Sequence, residues 1–110
     1  MSQSYLRELL RGVVEPLLLF LIAELPMHGY QIIKELERRS QGYLKFKGST
    51  IYSALRRLEK DELVLSSWQQ VARKQSRRCY KLTERGRRIL DTKLDEWQKF
   101  YIAISKIINI

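Results

Sequence analysis

The chain has 110 residues, enough for one compact domain, so any second hydrophobic core has to come from another copy. Its 45% hydrophobic and 30% charged residues exclude a disordered chain, and 21 Lys and Arg against 12 Asp and Glu give a net charge of +9 that favours polyanionic partners. One cysteine, Cys79, and one histidine, His28, exclude an internal disulfide and a zinc site built from Cys and His.

The first segment places Leu6, Leu9, Leu10, Val13, Leu17, Leu18, Leu21 and Leu25 at helical spacing, with a restart at Glu15-Pro16. This is one kinked helix or two abutting helices. Its uncharged apolar run, Pro16 to Ala23, falls far short of the roughly 20 residues that span a membrane. No small-residue cleavage site follows it, so neither membrane insertion nor export is expected, and a reducing cytoplasm suits the lone cysteine.

Pro26 to Gly29 breaks the pattern, and Tyr30, Ile33, Leu36 and Glu37 carry a shorter amphipathic helix ending near Ser40 to Gly42. A third helix is expected with Ser49 or Thr50 as its cap and Ile51, Ala54, Leu55 and Leu58 as its buried stripe. Its other face carries Ser49, Tyr52, Ser53, Arg56 and Lys60, with Arg57 beside them, a surface suited to reading a partner.

Short β-prone runs, Leu63–Gln69 and Arg78–Leu82, flank Gln70–Arg77 and predict a hairpin with a basic tip; Trp68 is assigned to the core. From Arg73 to Arg88 stand eight basic residues against the single acid Glu84, so most of the excess charge lies in this segment. A final helix opens at Thr83 and sets Leu90, Leu94, Trp97, Tyr101, Ile104 and Ile108 on a heptad seam. Such an apolar face needs a partner, and the same face of a second copy supplies one.

The expected fold is therefore mainly α with a small β-hairpin: a winged helix-turn-helix over residues 1–82 and a long C-terminal dimerisation helix over 83–110, forming one unit. No internal repeat or linker argues for a second domain. Enzyme readings fail on inventory, because there is no repeated metal-ligand spacing, Gly-rich phosphate loop or G-x-S-x-G elbow. Asp91 and Asp95 lie one helical turn apart but read as solvated charges beside a basic stretch. No cofactor and no metal are expected.

Met27-His28-Gly29-Tyr30, Ser49 to Lys60 (STIYSALRRLEK) and Tyr80 to Gly86 (YKLTERG), with the S-S-W strand between them, resemble the PadR family of bacterial and archaeal transcriptional regulators in order and spacing, over nearly the whole chain. The length is similar to that of the compact subfamily with a single C-terminal helix. The resemblance implies a homodimer whose third helices enter successive major grooves of double-stranded DNA, usually as a repressor acting near its own gene. The chain departs from the family pattern at Ser53, commonly proline, at Glu62, commonly glycine before the first strand, and at Cys79, where a second aromatic is frequent. The hairpin also lacks the usual glycines, so the turn at Glu62 and the shape of the wing are points for the structure to decide.

For DNA contact the candidates are Ser49, Thr50, Tyr52, Ser53, Arg56 and Lys60 on the third helix and Arg73, Lys74, Arg77 and Arg78 on the hairpin; Arg suits bidentate pairing to guanine, and all the cations suit phosphate. The plain alternative is a solvated helix face and a soluble hairpin tip. His28 is assigned to a backbone group or to packing beside Tyr30 rather than to a metal, and Cys79 to the core rather than to redox sensing. Trp97 has two readings: core filling with Phe100 and Tyr101, or, as the resemblance implies from some compact members of the family that bind planar aromatic compounds at a similar place, stacking against a small aromatic effector in a gap between two copies. Two rival functions remain at this level, a winged-helix protein-interaction module and a non-specific architectural DNA binder.

Overall fold

The computed structural model describes residue 6, residues 8–10 and residues 12–110. Of the unit expected over 1–82, residues 1–5, 7 and 11 lie outside the described residues. The backbone N–H of Leu10 donates to Leu6 O at 2.9 Å, Gly12 turns away at φ +78°, and α1 (Val14–Glu24) follows, which decides for two abutting segments rather than one kinked helix. α1 is apolar almost all round and buries Pro16, Leu18, Leu19, Leu21 and Ile22, as a helix at the centre of a fold does. Leu9 and Leu25 of the expected stripe are exposed.

A two-residue strand that the periodicity did not suggest, β1 (Met27–His28), precedes α2 (Gly29–Arg39). α2 is closed by a reciprocal cap: the Gln31 N–H donates to His28 Nδ1 at 3.4 Å, and the His28 N–H donates to Gln31 Oε1 at 3.0 Å. His28 thus satisfies a backbone group, as expected. The buried set of α2 is Gly29, Ile32 and Leu36, while Tyr30 and Glu37 of the expected stripe are exposed. The cause is at Gly29, where the Tyr52 ring of the next helix occupies the space a Cβ would take, so the glycine faces inward and Tyr30 turns out.

α3 (Gly48–Lys60) buries Ile51, Ala54, Leu55 and Leu58 as its spacing requires, and burial of each Leu or Ile is worth about 1.5–3 kcal/mol. Its N-cap is Lys47, which makes no side-chain cap hydrogen bond, so Ser49 and Thr50 lie within the first turn and are not the cap. The chain continues as β2 (Val64–Ala72) and β3 (Gln75–Leu82), antiparallel, in a sheet of order β1-β3-β2. The strands run further than expected: only Arg73 and Lys74 form the turn, and Gln70–Ala72 and Gln75–Arg77 belong to the ladder rather than to a loop. Lys74 at φ +61° takes the left-handed conformation a glycine would normally supply, and the register shift between Gln70 and Ala72 absorbs the extra residue.

α4 (Glu84–Ile108) starts at the expected cap, with the Gly86 N–H donating to Thr83 Oγ1 at 2.9 Å. Only Gly86 and Leu90 of its residues are buried; Leu94 and Ile89 pack on the core and the rest of the helix projects from it. The radius of gyration, 15.3 Å, exceeds the roughly 13 Å of a compact chain of this length for that reason. Among the described residues no helix is long and apolar enough to cross a membrane.

Candidate nucleic-acid interface

The exposed face of α3 and the concave face of the β2–β3 hairpin form two walls of one groove of about 630 Å³, lined by His28, Gly29, Tyr52, Arg56, Glu59, Trp68, Arg77, Arg78 and Tyr80. Ser49, Thr50, Tyr52, Arg56 and Lys60 are exposed along α3, and Ser53 is half-buried beside them. The Ile51–Leu58 stripe places them there, because inward residues on a helix fix the outward ones at 3.6 residues per turn. The Arg56 guanidinium reaches back to Ser53 Oγ at 3.3 Å, while Arg57 leaves the groove and pairs with Glu15 on α1 at 2.9 Å.

Arg73 and Lys74 are fully presented at the hairpin turn. Arg77, expected on the same tip, instead stands on β3 beside Arg78, which was expected on that strand, and both are held by aromatic faces. The Arg77 guanidinium lies 5.2 Å from the centre of the Tyr30 ring, which Lys34 approaches from α2 at 5.3 Å; Arg78 lies 5.4 Å from the Trp68 ring, its cross-strand partner. Arg78 Nε also donates to Ser66 Oγ at 2.9 Å, the Ser66 hydroxyl donates to Glu59 Oε2 at 2.7 Å, and Arg78 Nη2 lies 3.8 Å from that carboxylate. The hairpin is tied to α3 through this chain of contacts.

Trp68, assigned to the core from its strand, is 67% exposed and forms a wall of the groove. Alternation did not find it because the middle of β2 is polar on both faces, with Ser66, Ser67, Gln69 and Gln70 around the tryptophan; its spacing of two from Ser66 and its pairing with Arg78 become legible only with the register. Tyr30 and Glu59 were likewise missed, since each counts as an ordinary helix residue until the hairpin is placed. Tyr80 at the groove's floor is buried, and burial, with Glu59 adding to it, raises its hydroxyl above the usual value. Desolvation, with Arg77 adding to it, lowers His28, so its imidazole is the neutral hydrogen-bond acceptor that the cap needs. Cys79 is buried between His28 and Ser67 in the sheet.

Along α4 the expected seam is graded. Leu90 is buried, Leu94, Trp97 and Ile104 are half-buried, and Tyr101 and Ile108 are 64% and 57% exposed, with Phe100 and Ile107 exposed beside them. The site's residues are thus gathered into two places, the groove between α3 and the hairpin and the projecting half of α4.

Residues 18–92 match the family model of the transcriptional regulator PadR-like family. A transcriptional regulator from Clostridium thermocellum is similar in structure with a TM-score of 0.82 and 29% identity, over 90% of this chain and 93% of that one. A PadR family transcriptional regulator from Eggerthella lenta gives a TM-score of 0.82 and 28% identity, over 96% and 90%. PadR of Bacillus subtilis in complex with operator DNA shares the fold at a TM-score of 0.68 and 23% identity, over 74% of this chain and 47% of that one. The chain belongs to the PadR-like family, whose members are transcriptional regulators and not enzymes.

Proposed function

We propose that this chain is a sequence-specific DNA-binding regulator that works as a homodimer, most simply as a repressor bound to a pseudo-palindromic operator with half-sites about one helical turn apart. The observation that carries the reading is the groove: an exposed helix face bearing Tyr52, Arg56 and Lys60 stands beside a two-stranded hairpin whose turn is Arg73-Lys74. A helix of this width fits a major groove, and a hairpin at its flank reaches the neighbouring phosphates. In this reading Ser49, Thr50, Tyr52, Ser53, Arg56 and Lys60 face base edges and the nearest phosphates, and Arg73, Lys74 and Arg77 add phosphate contacts. The Bacillus subtilis relative that shares the fold is seen with operator DNA, which supports the same partner for this chain.

Dimerisation is assigned to the seam Leu90, Leu94, Trp97, Tyr101, Ile104 and Ile108 of α4, whose outer half has no cover within the described chain. Trp97 stands at the middle of that seam, where a flat aromatic effector stacked between two copies would alter the spacing of the two α3 helices and release the operator.

The test is fluorescence anisotropy with the duplex upstream of the chain's own gene and with a scrambled duplex of equal length at about physiological salt. A preference of about a thousandfold supports an operator-specific regulator. Equal, strongly salt-dependent binding to both duplexes selects the architectural reading, and no binding to either selects the protein-interaction module.

A further inference from the structure

We propose that Arg78, Ser66 and Glu59 form a clamp that sets the angle of the hairpin against α3, and that Arg78 is a positioning residue for DNA recognition rather than a phosphate contact. This rests on the DNA-binding reading above. Three observations carry it. The Arg78 guanidinium is occupied on one face by Trp68, at 5.4 Å, and on its edge by Ser66 Oγ, at 2.9 Å. Ser66 passes the connection to Glu59 Oε2 at 2.7 Å, and Glu59 is on α3, the helix that presents Tyr52 and Arg56. The carboxylate also lies 3.8 Å from Arg78 itself, so the cation is partly neutralised where it stands.

The register explains why these groups meet. Ser66 and Trp68 are two apart on β2 and share a face, and Arg78 is paired directly with Trp68, so all three project toward α3 from the middle of the hairpin. A two-stranded hairpin extending from a small sheet twists freely unless something beyond its base ties it down; Arg77 on the Tyr30 ring ties β3 to α2, but the angle against α3 needs a tie to α3 itself. The clamp supplies that tie one helical turn from the residues that face DNA. Its acidic member is otherwise unwelcome in a groove meant for a polyanion, because a carboxylate repels phosphate. Its retention there is accounted for by geometry and not by charge.

The two views of Arg78 and Glu59 predict opposite signs. If Glu59 acts only through its charge, Glu59→Gln tightens binding to any duplex. If it anchors the hairpin, Glu59→Gln loosens recognition: the preference for the upstream duplex over the scrambled one falls about tenfold, while binding to the scrambled duplex stays within about twofold. Arg78→Lys keeps the charge but loses the planar stack and the directed Nε donor, so the clamp predicts the same tenfold loss of preference with the salt dependence unchanged. Lys74→Ala, at the turn, serves as the contrast. It lowers the slope of log K against log salt by about 0.9, the value for one phosphate contact, and weakens both duplexes alike.

The experiment is anisotropy of the full chain and these three variants with both duplexes at four salt concentrations, each variant first shown to melt within a few degrees of the parent. Loss of preference in Glu59→Gln and Arg78→Lys at constant slope supports the clamp. Tighter binding by Glu59→Gln, or an Arg78→Lys variant indistinguishable from the parent, overturns it while leaving DNA binding intact. A parent that binds neither duplex overturns the DNA-binding reading and the clamp's role with it.

Discussion

His28 shows how one side chain can serve the backbone and report on it. Its Nδ1 accepts the Gln31 N–H only while the ring is neutral, and burial with the nearby Arg77 holds its pKa below the ordinary 6.5. The folded state therefore binds the proton less readily than the unfolded state. The stability this contributes is present above the unfolded pKa and is lost as pH falls through the folded one. As the chain has a single histidine, its ring-proton NMR signal is unambiguous: a midpoint below 6.5 is expected, with a melting temperature that declines as pH falls below 6.5. His28→Asn, which retains a capping side chain, should flatten that decline; an unchanged pH profile would detach the titration from the cap.

Glu62 is the other instructive residue. It sits at φ +61° just past α3, where its N–H donates to Glu59 O at 3.0 Å and the Leu63 N–H donates to Leu58 O at 2.9 Å, the double closure of a helix that normally ends in glycine. The turn is thus kept despite the departure from the family pattern, at a conformational cost of about 1 kcal/mol. Glu62→Gly relieves that cost but loosens the unfolded chain, so a net gain of about 0.5 kcal/mol is expected in a urea titration. A destabilised variant would mean that the glutamate side chain contributes something its contacts do not reveal.

At the scale of elements, the joint between α3 and α4 matters most. Thr83 caps α4, its hydroxyl donates to Glu62 O at 2.7 Å, and its N–H donates to Leu63 O at 3.1 Å, so the helix carrying the seam is fastened directly to the turn that ends the helix carrying the groove. Gly86 makes this possible, since a Cβ there would fall on the Leu63 carbonyl oxygen. Backbone cannot yield as a flexible side chain can. Gly86→Ala should therefore cost about 3 kcal/mol or more by thermal melting, whereas alanine at an ordinary helix site stabilises by about 1 kcal/mol. Movement of α4 is expected to reach α3 through this joint, which is how a ligand at Trp97 would be felt in the groove.

For the whole molecule, the 53 Å long axis is set by a 25-residue helix only half of which rests on its own core. A face carrying Tyr101, Ile104 and Ile108 is costly to leave in water, so self-association is the expected state. Ile104→Asp places a charge on the seam and should convert a dimer to a monomer in sedimentation at micromolar concentration, with DNA affinity falling by at least tenfold as two half-sites are uncoupled. If the parent chain already sediments as a monomer, the seam belongs to some other partner.

Much of this was open to inspection in the residues alone. The stripe Ile51, Ala54, Leu55 and Leu58 determined both the buried side of α3 and, as its complement, the side bearing Tyr52, Arg56 and Lys60, because helical period links the two. Thr83 and the apolar steps that follow it determined α4 in the same local way. Most of the misplaced residues depended on contacts between segments distant in sequence. Ser49 and Thr50 were displaced from the cap because the loop enters α3 earlier, and Tyr30 turned outward because Tyr52, 22 positions away, fills the space at Gly29. Trp68 left the core because strand register, not strand composition, assigns a side chain to a face, and Arg77 left the tip because the ladder runs on past it to Gln75. Periodicity is a property of one segment and can be read from it; which segment packs against which is decided only when the chain closes on itself.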